Sequence, residues 1–408
     1  MSTTHDTPPA SPFGSGPDDA DAPTAIESKE DAGLSQGAIV RRKFFRHTGA
    51  MVSMIVLGLV ALLAFTAQGV GPIPGWWIHN HVSSGPVVNP GGAPTWTLAN
   101  PFSLGEHPFG QDDIGRDNFA RVMKGTQISL MVMVIIGATA LVIGTTIGAL
   151  AGYYRGWLDG LLMRITDGFI IVPTIVVGAI LGKLIGGPSF SFFGLPLSSY
   201  LAPMLGLVLG GILWTGLARL VRGEFMALRE REFVDSARVS GAGDFRIMFT
   251  HILPNSVGVI IVNTTLLMSQ AIVLETALSF LGFGIRPPQI SLGQLINEYQ
   301  SAFSTRPWLF WWAGLFIIII ALCVNFIGDG LRDAFDPRMK AIPSQRKMDR
   351  ADRRRATAGG TTVTAATTTS AADTTPRSDG PTGSGRPEEP DGPAGSDDER
   401  DDQRKGEL

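Results

Sequence analysis

Cysteine is almost missing from this 408-residue chain. Cys323 stands alone, which rules out a disulfide framework and a cysteine-based metal centre. The six histidines are scattered, none at the spacing of a metal-ligand pair. A phosphate-binding loop, G-x-x-x-x-G-K-[ST], is also lacking. The nearest approach, Gly178-Ala-Ile-Leu-Gly182-Lys183-Leu184, is one residue short, has no terminal hydroxyl and lies in an apolar run. No nucleophile–base pair supports a hydrolase or a membrane-embedded enzyme. Ionisable residues are sparse in the apolar runs, with Asp167, Lys183 and Glu275 the clearest, all near run ends. Ion-coupled carriers usually bury such groups among their spans, so this scarcity argues against a secondary transporter. No cleavable signal peptide is visible; the first apolar run begins near residue 48, behind a long polar leader, and reads as a retained span.

What is abundant is uninterrupted apolar sequence. A membrane helix needs about 20 such residues to cross roughly 30 Å of hydrocarbon. Six stretches qualify: roughly 48–70, 128–151, 166–186, 198–218, 256–278 and 308–328. They are continuous rather than alternating, as helices require and barrel strands do not. The predicted fold is therefore an all-α membrane domain over 41–340 with six transmembrane helices. Residues 1–40 and 341–408 are rich in Pro, Gly, Ser, Thr, Asp and Glu. They have too little apolar surface to offset the entropy of ordering, and are predicted to be disordered tails.

Basic residues orient the spans. Arg41, Arg42, Lys43 and Arg46 put the N-terminus in the cytoplasm, and six crossings return the C-terminus there. Segments 153–164 (Arg155, Arg164) and 219–255 (Arg219, Arg222, Arg229, Arg231, Arg238, Arg246) fall on the same side, and 279–307 falls outside. Arg116, Arg121 and Lys124 also fall outside, in a long loop with compensating acids. Trp76, Trp77, Trp308, Trp311 and Trp312 mark the outer interface, and Tyr153, Tyr154 and Trp157 the inner one.

Gly144, Gly148 and Gly152 recur every four residues on the second span, as do Gly206 and Gly210 on the fourth. Such stripes let helix backbones approach closely, within the subunit or between subunits. Asp167 lies one short turn from Arg164, a ready partner. Glu275 has two readings, a structural hydrogen-bonding group or a residue lining a translocation pathway. The segment "GQDDIGRDN" (Gly110–Asn118) lacks the twelve-residue ligand spacing of a calcium loop and reads as a tight, charge-paired turn.

The polar stretch "EFVDSARVSGAGDFRIMFTHILPN" (Glu232–Asn255) separates two spans. Its spacing predicts a short helix to about Ser240, terminated at Gly241. A second helix follows, N-capped by Asp244, with Phe245, Met248, Phe249 and Ile252 as an anchoring ridge and Pro254 at the bend back into the membrane. A narrow exposed tip on an apolar anchor fits a groove in another protein; an amphipathic loop resting on lipid is the other reading.

This stretch resembles the cytoplasmic "EAA" loop of ATP-binding-cassette (ABC) importer permeases: E-A-A, three residues, G, nine residues, I-x-L-P. Asp235-Ser236-Ala237, Gly241 and Leu253-Pro254 stand at the matching positions, while Asp235, Ser236 and His251 replace Glu, Ala and Ile. "HILPN" (251–255) is typical of the peptide branch. "HPFGQDDIGRDNFARVMKGTQISL" (His107–Leu130), "ETALSFLGFGIRPP" (Glu275–Pro288) and "NFIGDGLRDAFDPR" (Asn325–Arg338) resemble stretches of the dipeptide/oligopeptide permease C subunits.

The resemblance implies a type I ABC importer permease fold in the bacterial inner membrane, and an importer of dipeptides or oligopeptides. Nickel, haem or glutathione are alternative cargoes within the class. The chain is then a non-catalytic translocation subunit without a cofactor of its own, ATP and magnesium being bound by cytoplasmic ATPase partners. A homologous second permease completes a heterodimer in the lipid, and an extracytoplasmic solute-binding protein delivers cargo to outer loops near 72–124 and 279–307; no nucleic acid is involved. Asp235, Ser236, Ala237, Arg238, Gly241, Asp244 and Arg246 are the implied ATPase-coupling residues, and Glu275 is the pathway candidate.

Overall fold

The computed structural model describes residues 36–96, 105–185, 191–192, 195–196 and 200–336. Most of the two expected tails, 1–35 and 341–408, lies outside the described residues. The exception is 36–40, which is helical: α1 (Gln36–Arg46) starts there and carries the basic cluster. Among the described residues the regular structure is helical, apart from two minimal antiparallel ladders, Gly69–Val70 with Ile73–Pro74 and Ser191–Phe192 with Leu195–Pro196, and a single bridge between Gln111 and Asp117.

His47 caps α2 (Thr48–Gln68), its Nδ1 accepting from the Ala50 amide at 3.1 Å. α3 (Asn118–Tyr154) starts ten residues before the expected second span, because Asp117 provides an N-cap, accepting from the Ala120 amide at 2.8 Å. Its 37 residues reach about 55 Å at 1.5 Å each, well beyond the roughly 30 Å of hydrocarbon.

The expected third span is broken. α4 (Gly156–Ile171) and α5 (Thr174–Ile185) meet at 81°. Pro173 explains the break: it forces Val172 into an extended conformation (ψ 125°) and withholds a helical donor. The segment expected as a cytoplasmic loop, 153–164, is mostly α4. Asp159 near its start pairs with Arg222, at the C-terminal end of α6 (Leu201–Arg229), while Gly182 near the end of α5 packs on the Phe283 carbonyl, beyond the far end of α9 (Leu253–Phe280). The pair therefore leads from one end of the bundle to the other, as a crossing does and a re-entrant loop does not. Five single helices are long and apolar enough to span, and this bent pair makes six.

Between α6 and α9 lie α7 (Glu232–Val239), a one-turn α8 (Asp244–Arg246) and a π-helical turn, Ile247–Ile252. α10 (Leu292–Tyr299), within the expected outer loop, is capped by Ser291 and buries Leu292 and Leu295. α11 (Pro307–Phe335) completes the bundle. Phe335 packs on Gly258 of α9, and Asp333 meets His47 at 3.3 Å, so α1, the α7–α8 hairpin and the end of α11 share one end of the bundle.

The glycine stripes meet each other. A methyl at Gly144, Gly148 or Gly152 of α3 would stand 2.9, 2.5 or 2.6 Å from the carbonyls of Trp214, Ala218 and Arg222 on α6. One at Gly206 or Gly210 of α6 would stand 2.9 Å from Ile135 Cβ or the Ile136 carbonyl on α3. The small-residue faces thus serve packing within the subunit, where dispersion holds helices that hydrophobicity cannot sort from lipid.

Candidate functional site: a coupling hairpin and two buried polar clusters

The hairpin begins where α6 ends. α7 closes with a Schellman motif: the Ala242 amide donates to the Ala237 carbonyl and the Gly241 amide to the Arg238 carbonyl, both at 3.0 Å. Gly241 sits at φ +82°, with open space where a side chain would stand. The tip is polar and accessible. Asp235, Ser236, Arg238, Asp244 and Arg246 are exposed and Ala237 is half-buried. Arg238 leans on Asp235 of its own helix at 3.3 Å, an exposed pair of small energetic weight.

Three local expectations fail here for physical reasons. Asp244 is not the N-cap: Gly243 holds that position, and the Asp244 carboxylate accepts instead from the Tyr153 hydroxyl at 2.6 Å. The anchoring ridge also differs. Ideal α spacing would group Phe245, Met248, Phe249 and Ile252. The wider π turn places Ile247 and Ile252, five apart, on one buried face with Met248. Phe245 and Phe249 remain 71% and 48% exposed, their rings 4.3 Å apart. The same turn relieves the chain at Pro254, which enters α9 in its first turn without a sharp bend.

Val234, Ile247, Met248 and Ile252 pack with Tyr153 of α3 and Val221 and Phe225 of α6. Arg229 donates to the Tyr153 carbonyl at 2.6 Å and covers its ring. Arg222 grips Asp159 in a two-pronged pair at 2.5 and 2.6 Å. Asp167 meets Arg219 rather than Arg164, and Lys183 is exposed. The hairpin is therefore locked to α3 and α6 while its tip remains uncovered.

At the other end, "GQDDIGRDN" is the charge-paired turn expected. The buried Asp117 serves three donors: the Ala120 amide, Trp77 Nε1 at 2.8 Å and His107 Nδ1 at 2.8 Å. Arg121, 2% exposed, donates to Asp112 Oδ2 at 3.1 Å, to Glu298 Oε2 at 2.6 Å and to the Tyr299 hydroxyl. Arg116 bridges the same two acids at 2.5 and 2.7 Å. Two cations and two anions close a balanced network. Burial pushes the Glu298 carboxyl up, but the hydrogen bond and charge of Arg121, aided by Gln294 and Arg116, outweigh it and hold the group below its usual value. Sequence reasoning anticipated compensating acids but missed Glu298, which lies 177 residues from Arg121. It is the only acid in 279–307, a signal that was there to use.

Glu275 of α9 is fully buried in a cage of serines. Ser279 donates to Oε1 at 2.7 Å and Ser129 to Oε2 at 3.2 Å. Those hydroxyls in turn accept from the amides of Ile285 and Leu292, at 3.0 and 3.2 Å. The carboxylate thus ties α3, α9 and the start of α10 together, and it does not line the cavity of about 1050 Å³ between α2, α3, α9 and α11. Glu275→Gln keeps an acceptor and is expected to cost about 1 kcal/mol, one neutral hydrogen bond, with uptake largely retained. Loss of all uptake from an assembled complex would return Glu275 to the pathway.

Residues 144–341 match the family described as binding-protein-dependent transport system inner membrane component, and residues 35–76, which contain α1 and α2, match the N-terminal TM domain of oligopeptide transport permease C. The oligopeptide transport system permease protein OppC of Mycobacterium tuberculosis is 32% identical over 308 residues, covering 76% of this chain and 97% of that protein. A putative peptide transport system permease protein of Brucella abortus is 34% identical over 319 residues, covering 78% and 97%. A chain of the MetNI methionine ABC transporter, in an inward-facing conformation, aligns at 20% identity and a TM-score of 0.40, covering 52% of this chain and 95% of that one. With relatives matched almost from end to end and six crossings, this chain belongs to the binding-protein-dependent ABC transport permeases, in the oligopeptide permease C family, as a multi-pass inner-membrane subunit.

Proposed function

We propose that this chain forms half of the translocation pathway of an ATP-driven oligopeptide importer, and that the α7–α8 hairpin is its point of contact with a cytoplasmic ATPase subunit. The observation that carries this is the hairpin: an exposed polar tip, turned sharply at Gly241, on a base packed into α3, α6 and α9. A free-standing channel has no use for such a protrusion.

In this reading both termini are cytoplasmic, and a homologous second permease completes the pathway. A solute-binding protein delivers peptides at the opposite end, above the Arg121 network. Magnesium and ATP belong to the ATPase partners, and closure of two ATPase subunits draws the hairpins together and rocks the spans. Asp235, Ser236, Ala237 and Gly241 face the partner cleft, with Arg238 and Arg246 beside its acids. Asp244 contributes indirectly, by fixing the base of the hairpin to Tyr153.

The test is site-directed cross-linking in the assembled transporter. With Cys323 replaced by alanine, Ser236→Cys is expected to form a cross-link with a cysteine introduced in the ATPase cleft, and the yield should change with nucleotide. A Ser236→Cys thiol that is labelled from the extracytoplasmic side, or that never reaches an ATPase subunit, would overturn the assignment.

A further inference from the structure

A cavity of about 1050 Å³ lies between α2, α3, α9 and α11. Along α3 it extends from Lys124 to Ile135, eleven residues and so about 16 Å. One leaflet of a bilayer contributes half of the roughly 30 Å hydrocarbon core, so the cavity is about one leaflet deep.

Its two ends differ chemically. The Lys124 end is polar, with His81, Gln127 and Gln289 nearby. Lys124 is half-buried, and among the described residues its ammonium has no acidic partner; it donates to Gln127 Oε1 at 3.0 Å. The Gln127 amide nitrogen is already committed to the carbonyls of Ala64 and Gly69, at 2.7 and 3.0 Å. Arg121, one turn away, is neutralised by Asp112 and Glu298. Burial, with the charges of Lys124 and Arg121, lowers the His81 pKa to about 4, so the ring is neutral at pH 7 and adds hydrogen-bonding capacity rather than charge. Lys124 is therefore the uncompensated cation here, and leaving a half-buried charge unmatched is costly.

Below that end the walls are hydrocarbon and thioether. Leu57, Phe65, Met131, Ile135, Met268 and Val324 are representative. Among the described residues Thr265 is the polar side chain lining it this deep, and its hydroxyl donates to the Ile261 carbonyl of its own helix at 2.9 Å. A peptide drawn into this shaft would leave its amide groups without partners. An anion with a hydrocarbon tail meets no such penalty.

We infer that this cavity holds one anionic phospholipid, its phosphate on the Lys124 ammonium beside His81 and an acyl chain in the shaft between α2, α3, α9 and α11. Charge complementarity selects an anionic headgroup, and the depth matches one leaflet. The inference does not depend on which solute the transporter carries.

Native mass spectrometry of the whole transporter in detergent tests it, with phosphatidylglycerol and phosphatidylcholine as probes. The wild type is expected to retain one phosphatidylglycerol in preference to phosphatidylcholine. Lys124→Gln should lower that retention by about fivefold, the scale of one cation against an anionic headgroup. Lys124→Arg should preserve it, and Met131→Trp, which fills the shaft, should abolish it. Unchanged subunit composition and melting temperature in Lys124→Gln would separate lost binding from misfolding. Equal retention of the two lipids, no effect of Lys124→Gln, no lipid retained by the wild type, or displacement by a tripeptide with a free carboxylate would each overturn the inference, the last by making the cavity a substrate chamber.

Discussion

Gly241→Arg should silence uptake while the protein still inserts and assembles. Two effects separate at this position. The backbone lies at φ +82°, so any side chain there costs about 1–2 kcal/mol of local strain. Nothing stands within 4 Å of the site a Cβ would occupy, so the subunit itself imposes no steric limit. Strain alone therefore predicts a mild defect for Gly241→Ala and a milder one for Gly241→Asn, which tolerates this conformation. The arginine adds bulk to the tip, which must enter the partner. A loss of ATPase affinity of at least about tenfold, or 1.4 kcal/mol, is expected from Gly241→Arg and not from Gly241→Asn. The readouts are peptide uptake in vesicles and co-purification of the ATPase. If Gly241→Arg transported normally, the tip would not be a docking surface.

Arg121→Met is expected to be the most destabilising single change in the described residues. The guanidinium is 2% exposed and holds Asp112, Glu298 and Tyr299 at once. Truncating one member of a buried ion network typically costs about 3–5 kcal/mol, here because two acids are left to share Arg116 alone. Glu298→Gln introduced together with Arg121→Met should recover much of that loss, since Asp112 still has Arg116 at 2.5 Å. Thermal unfolding of the purified transporter measures both variants and Glu298→Gln alone, and the non-additivity of the pair isolates their coupling. Equal melting of Arg121→Met and wild type would mean that the network contributes nothing to the fold.

Hydropathy made the spans legible, because lipid permits few alternatives to a continuous apolar helix. Gly241 was legible as a helix stop for the same kind of reason, a local backbone requirement. The glycine stripes announced close packing, and only the three-dimensional fold shows that α3 and α6 are each other's partner. What escaped was decided by contacts distant in sequence. The first turns of α3 look like loop because Arg121, Lys124 and Gln127 are polar, yet Asp117 caps them and Glu298 neutralises Arg121. Asp244 carries an N-cap residue type, but Tyr153 takes its carboxylate. Phe245 and Phe249 have the spacing of a buried ridge, and one π turn rotates them outward. The proposed coupling residues rest on the pattern Asp235-Ser236-Ala237…Gly241, since no chemistry within the chain marks them.

The seam between α3 and α6 has a mechanical consequence. Backbone rests on backbone at Gly144, Gly148, Gly152 and Gly210, and the Ile135 side chain fills the space at Gly206, so sliding or rolling of either helix meets the other at once. The two behave as one stiff strut. Its lower end is clamped to the hairpin through Tyr153 and Phe225, and its upper end to α10 through Arg121 and Glu298. A displacement imposed on the hairpin is therefore expected to reach the opposite membrane face as a tilt of the strut, because its seam leaves little room for side-chain repacking along the way.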